Sequence, residues 1–178
     1  MNRLAFEQLG IRSGEHVLEV GFGGGDLIEW VLAATNAEIV GVDVSDAMLK
    51  RGRRRFATEV ANGRLRLLEG TVEALPIEDS SIDRAYSVNS LYFWPDAAVA
   101  MAEFARVLRP GGRLVLCFQA PEAVRAWPGH VYGFHAYGAG EMAALMEAAG
   151  FGPVRTARGE ASEVGEYICL SSERDDGR

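Results

Sequence analysis

The sequence predicts an α/β fold, a doubly wound and mostly parallel sheet with helices on both faces. Three observations carry this reading. Apolar runs of strand length alternate with helical stripes along most of the chain. One such run, His16-Val17-Leu18-Glu19-Val20, passes straight into the glycine-rich turn Gly21-Phe22-Gly23-Gly24-Gly25 and then into an amphipathic helix. A second, Ile39-Val40-Gly41-Val42, ends in an acid, Asp43, 22 residues beyond Gly21.

Strands are expected at 16–20, 38–42, 65–68, 82–88 and 113–118. Between them, Ile28, Val31, Leu32 and Thr35 form one helical stripe, and Met101, Phe104, Ala105 and Leu108 form another. Met142, Leu145, Met146 and Ala149 repeat the spacing, as core-facing positions. Gly10, Gly111-Gly112 and Gly150 follow helical segments where left-handed caps are expected, with Pro110 reinforcing the second stop. Two last apolar segments, 154–157 and 167–171, are close enough for a hairpin, which makes seven strands with an antiparallel end. Residues 1–172 are expected to form one domain and the charged residues 173–178 a frayed tail.

The chain has 178 residues, 48% apolar and 24% charged, in the range of ordinary globular proteins. Its formal charge of −7 opposes a nucleic-acid partner. The basic run Lys50-Arg51-Gly52-Arg53-Arg54-Arg55 lacks interleaved aromatics and reads as a solvated helix face. No stretch approaches membrane-spanning length, and the first residues lack a secretion-signal pattern. Cys117 and Cys169 each sit in an apolar run and read as buried thiols, with no metal-binding spacing. A cytoplasmic location without membrane attachment is expected.

Spacing in the glycine turn separates cofactors. A dinucleotide fingerprint needs glycine at the sixth position from Gly21, where Asp26 stands. A carboxylate there repels a pyrophosphate but suits a cofactor bearing a cationic sulfonium and an amino group. A nicotinamide oxidoreductase is disfavoured on this ground. Asp43 is placed to accept two hydrogen bonds from a ribose diol, while Ser45 suits a helix cap better.

The pattern Glu19-Val20-Gly21-Phe22-Gly23-Gly24-Gly25 resembles motif I of the class I S-adenosylmethionine-dependent methyltransferases. Glu69-Gly70-Thr71-Val72-Glu73-Ala74-Leu75-Pro76 is similar to that family's adenine-contacting loop. Ser81-Ile82-Asp83-Arg84-Ala85-Tyr86-Ser87, Leu108-Arg109-Pro110-Gly111-Gly112 and Ala148-Ala149-Gly150-Phe151 match its later landmarks in order. The resemblance is to the small-molecule type that includes quinone-biosynthesis methyltransferases. It implies a Rossmann-like sheet of order 3-2-1-4-5-7-6 with strand seven antiparallel, and S-adenosyl-L-methionine as cofactor. By the same resemblance Gly21, Phe22, Gly23 and Gly25 line the cofactor, and Glu19 lies near its methionine end. Asp43 holds the ribose, Val44 and Met48 flank the adenine, and Thr71, Val72 and Glu73 form the loop at its edge. Ser87 and Asn89 face the transferring methyl.

Two features depart from the pattern. Thr71 stands where many relatives carry an acid for the adenine amine, and a neutral hydroxyl is a weaker acceptor. The chain also begins almost at the helix before the first strand. A naturally short protein, a second subunit covering the cleft as in a homodimer, and a truncated sequence are the three explanations.

The resemblance implies transfer of a methyl to a small acceptor by in-line displacement, with alignment worth about 7–11 kcal/mol in favourable cases. Asn89-Ser90-Leu91-Tyr92-Phe93-Trp94-Pro95 suggests an apolar or aromatic acceptor, or else simple packing against the next helix. The segment 119–137 is long for a strand-to-helix connection and reads as a substrate cover. Tyr92, His130 and His135 are the candidate catalytic groups, the histidines as bases near neutral pH or as ordinary surface residues. A scaffold that keeps cofactor binding without turnover is the competing function.

Overall fold

A computed structural model describes residues 1–126, 135–162 and 165–175. Seven strands form one sheet: β1 (Val17–Val20), β2 (Ile39–Asp43), β3 (Leu65–Glu69), β4 (Ile82–Val88), β5 (Leu108–Gln119), β6 (Arg155–Ala161) and β7 (Gly165–Glu173). Their order is β3-β2-β1-β4-β5-β7-β6. All neighbours are parallel except β7, which runs antiparallel to both β5 and β6. The expected strand order and orientation are therefore those observed.

Every residue of β1 and β2 is buried, as expected of central strands covered on both faces. One face packs α5 (Ala97–Val107) and α7 (Ala139–Ala148) through Met101, Phe104, Met142 and Met146. The other packs α1 (Asn2–Leu9), α2 (Asp26–Ala34) and α3 (Asp46–Arg55) through Leu9, Ile28, Val31 and Leu49. Ser45 caps α3, its hydroxyl accepting the Met48 amide at 3.4 Å. Asp96 caps α5 by accepting the Ala98 and Val99 amides. Two short helices, α4 (Ala57–Ala61) and α6 (Pro121–Ala126), complete the numbering, and among the described residues no helix is long and apolar enough to cross a membrane.

Two expectations are corrected. Gly10 does close α1 in the left-handed region, but Gly111 and Gly112 do not cap α5. That helix passes directly into β5 at Leu108, and the two glycines sit inside β5 at a break in its register with β4. The reason is a backbone exchange with the chain end. Gly111 donates to the Arg174 carbonyl and Arg174 donates to the Gly112 carbonyl. The same exchange moves the start of the expected tail, whose last three residues lie outside the described ones. Glu173 belongs to β7, and Arg174 also bridges Phe151.

The glycine turn is seated from below by Phe22, whose ring lies in a groove left open by Gly41 of β2 and Gly52 of α3. A Cβ on Gly41 would meet Leu67 at 2.8 Å and Phe22 at 3.0 Å. Gly41→Val is expected to cost about 1–3 kcal/mol by overpacking this groove. Urea denaturation with an unchanged m-value checks it, and wild-type stability would refute the seating role.

Candidate active site

The carboxyl ends of β1, β2 and β4 meet at one edge of the sheet, where a doubly wound fold leaves a crevice. The Gly21–Gly25 turn crosses this edge between two adjoining cavities of about 500 and 310 Å³. Gly21, Gly23 and Asn89 line both. Gly21 has φ +74°, and a Cβ there would lie 2.6 Å from Ser90, so a side chain is excluded twice over. Gly23, at φ +50°, has nothing within 4 Å of a would-be Cβ and presents bare backbone to open space.

Asp43 terminates β2 and fixes the turn. Its carboxylate is 8% exposed and accepts the Gly23 amide at 3.0 Å and the Ser45 amide at 2.9 Å. It lines the larger cavity together with Val44 and Met48 on one side and Thr71, Val72 and Glu73 on another. Phe93, Trp94 and Pro95 close the same cavity. The aromatic segment after β4 thus borders the Asp43 cavity, and Trp94 also packs on Phe104 at 5.9 Å between ring centres. Of the two alternatives for this segment, packing against the next helix is observed at Trp94.

Glu19, Phe22 and Gly25 line the smaller cavity, with Asn2 of α1 and Asp26 of α2. Phe22 contributes backbone there, since its ring is buried in the groove described above. Asn2 carried no motif, and only the packing of α1 brings it to this edge. Glu19 is 4% exposed, and Tyr86, its register partner on β4, donates a hydrogen bond to it at 2.8 Å. Burial pushes the Glu19 carboxyl up to about 8, with Asp43 and Asp26 adding in the same direction and the Tyr86 hydroxyl opposing. Arg55 holds Asp26 at 2.5 Å and Glu29 at 2.8 Å and donates to the Gly24 carbonyl, clamping α3 to the turn.

Several expected site residues lie elsewhere. Ser87 lines neither cavity. It is buried, and its hydroxyl is used by the Val20 carbonyl at 2.8 Å and by Ser90 at 2.5 Å. Tyr92 is also outside both cavities. Its hydroxyl donates to Asn89 Oδ1 at 3.0 Å and accepts the Gln119 amide, while burial raises its pKa above the ordinary phenol value. Its hydroxyl thus ties the segment after β4 to the end of β5. His135 is mostly exposed, stacks on Tyr137 at 4.2 Å, lies 3.8 Å from Glu141 and lines neither cavity. His130 lies outside the described residues.

The Glu19 carboxyl gives a signed pH dependence. Below about 4.5 both folded and unfolded chains hold the proton; between about 4.5 and about 8 the unfolded chain loses it while the folded chain keeps it. Wild type therefore loses stability across that window relative to Glu19→Gln, whose amide oxygen still accepts from Tyr86. The variant is expected to be the more stable above pH 7, with the difference vanishing near pH 4. Denaturation curves across pH measure this, and a pH-independent difference would contradict it.

Comparison with known proteins agrees with this geometry. A family model described as a methyltransferase domain matches residues 18–116, from β1 into β5. An uncharacterized methyltransferase of Bacillus subtilis, YdaC, is 36% identical over 124 residues, covering 69% of this chain and 66% of that protein. The ubiquinone/menaquinone biosynthesis C-methyltransferase UbiE of Marinomonas sp. is 36% identical over 124 residues, covering 68% of this chain and 49% of that protein. The matched region thus spans less than two thirds of these relatives' own length. Among solved structures, the YcgJ protein of Bacillus subtilis superposes with a TM-score of 0.80 at 18% identity, over 99% of this chain and 98% of that one. Geranyl diphosphate C-methyltransferase from Streptomyces coelicolor superposes with a TM-score of 0.80 at 14% identity, over 97% and 77%. At such identities the superpositions speak to the fold, and the family model speaks to the sequence. The chain belongs to the class I S-adenosylmethionine-dependent methyltransferase family.

Proposed function

We propose that this protein binds S-adenosyl-L-methionine across the glycine turn and passes its methyl group to a small acceptor. The observation that carries the proposal is the pair of adjoining cavities sharing Gly21, Gly23 and Asn89, one bounded by Asp43 and the other by Glu19. Their volumes suit a ligand of nucleoside-plus-amino-acid size. In the larger cavity Asp43 accepts the ribose hydroxyls while keeping the Gly23 amide, since each carboxylate oxygen has two acceptor sites. Val44, Met48 and Val72 enclose the base, with Thr71 and Glu73 at its polar edge. In the smaller cavity Glu19 faces the amino group of the methionine portion. A sulfonium activates the methyl without protein assistance when the cofactor is bound.

What the chain itself supplies is position. Asn89, with φ +59° and a place in both cavities, stands where the reacting groups would meet. Neither Tyr92 nor His135 lines either of these two cavities, and this reading gives the glycine turn the work of alignment. Val44 and Phe93, 66% and 64% exposed, form an apolar rim at the mouth. They favour a small apolar or aromatic acceptor, and the transfer in this reading is an in-line displacement. The cytoplasmic setting read from the sequence accompanies this proposal.

Calorimetry is expected to show micromolar-range binding of S-adenosylmethionine and S-adenosylhomocysteine and none of NAD. Asp43→Ala should weaken the first two by about 1.5–3 kcal/mol, roughly 10- to 150-fold, the worth of hydrogen bonds to a charged group. Tight binding of NAD alone, or an unchanged affinity in the variant, would overturn the assignment. Release of S-adenosylhomocysteine on a panel of phenols, quinols, amines and thiols then tests turnover. Binding without release on any acceptor would favour a scaffold that retains the cofactor site.

A further inference from the structure

Cys117 of β5 and Cys169 of β7 are directly opposed across the antiparallel ladder. Opposed residues in such a pair have Cα atoms about 4.5–5.5 Å apart, inside the range that a disulfide spans. Both belong to the apolar cluster on the α1 face, and both are 1% exposed. Their side chains project from one face of the sheet, as cross-strand partners must. The Cys117 thiol also donates to the Met1 carbonyl at 3.8 Å, at the point where α1 starts. That start has no side-chain cap and no acidic residue in its first turn. Beyond the Cys117 bond, the Ala5 amide is the backbone donor that reaches Met1.

We propose that Cys117 and Cys169 form a dithiol that closes to a reversible disulfide under hydrogen peroxide, releasing the bond that fastens the first turn of α1. Opening of this weakly capped turn admits the peroxide to the buried sulfurs. One sulfur, as thiolate, attacks a peroxide oxygen. The O–O bond breaks, and the leaving hydroxide takes up the thiol proton as water. The resulting sulfenic sulfur is attacked by the second cysteine, the S–O bond breaks, and a second water leaves with that cysteine's proton. Two sulfurs lose one electron each, and the two peroxide oxygens gain the pair. The S–H donor to Met1 no longer exists in the product. Because Asn2 lines the smaller cavity beside Glu19, the thiol state is felt at the edge of the active site.

The test uses the intact chain treated with hydrogen peroxide, followed by alkylation under denaturing conditions and mass spectrometry. The expected product is lighter by about 2 Da, carries no alkyl group on either cysteine and is restored by dithiothreitol. Hydrogen exchange on the same sample should show the Ala5 amide exchanging at least about tenfold faster than in the reduced protein. Cys169→Ala should instead gain about 16 Da at Cys117 and never lose 2 Da. Two alkylatable thiols after peroxide treatment would overturn the disulfide. A disulfide that leaves Ala5 exchange unchanged would overturn its link to α1. Neither readout involves cofactor or methyl transfer, so the outcome is separate from that of the proposed function.

Discussion

The hydrogen bond from the Gly23 amide to the Asp43 carboxylate is the constraint on which the site depends. A turn of four glycines around one phenylalanine has no intrinsic reason to hold a single shape, because glycine loses more conformational entropy on ordering than any other residue. Here it is tied at three levels. The Gly21 amide extends the β1–β2 ladder by one bond to the Val42 carbonyl, at 2.8 Å. The Asp43 carboxylate takes the Gly23 amide, and the Phe22 ring is locked beneath by the space at Gly41 and Gly52. What remains on the upper side is backbone without side chains, at the carboxyl edge of a parallel sheet.

The charge around this turn is uneven in a way that selects a ligand. Glu19, Asp26 and Asp43 all border it, yet only Asp26 has a paired cation among the ion pairs described, through Arg55. Burial, with Asp43 and Asp26 adding to it, makes Glu19 hold its proton to about pH 8. A pyrophosphate brought to the same turn would meet the Asp43 carboxylate, which has no cation among the ion pairs described, at short range. A ligand with positive charge gains from the same arrangement. Asp26, the acid that the spacing argument set against a dinucleotide, is itself paired with Arg55, so the selection falls to Asp43.

The fold was legible because its signals are periodic or local. Buried strands, helical stripes and the strand-turn-helix around Gly21 are all written in short windows, and they fixed seven strands and placed Asp43 correctly. The misreadings involve partners distant in sequence. Gly111 and Gly112 look like a helix stop until Arg174 is brought back to pair with them, more than sixty residues on. Ser87 looks available until its hydroxyl is seen to be used by Val20 and Ser90. Tyr92 was singled out as a phenol, but the left-handed turn at Asn89 directs it onto Gln119. Asn2 went unnoticed because helix packing, not composition, carries it to the site.

Amide chemical shifts during titration with S-adenosylhomocysteine test the central claim most directly. The account requires saturable shifts concentrated at Gly21, Gly23, Asp43 and Val72, with the opposite sheet edge around Arg113 and Arg155 unmoved. Shifts centred on that opposite edge, or a Gly23 amide that never moves at saturation, would show that the glycine turn is not where the cofactor sits.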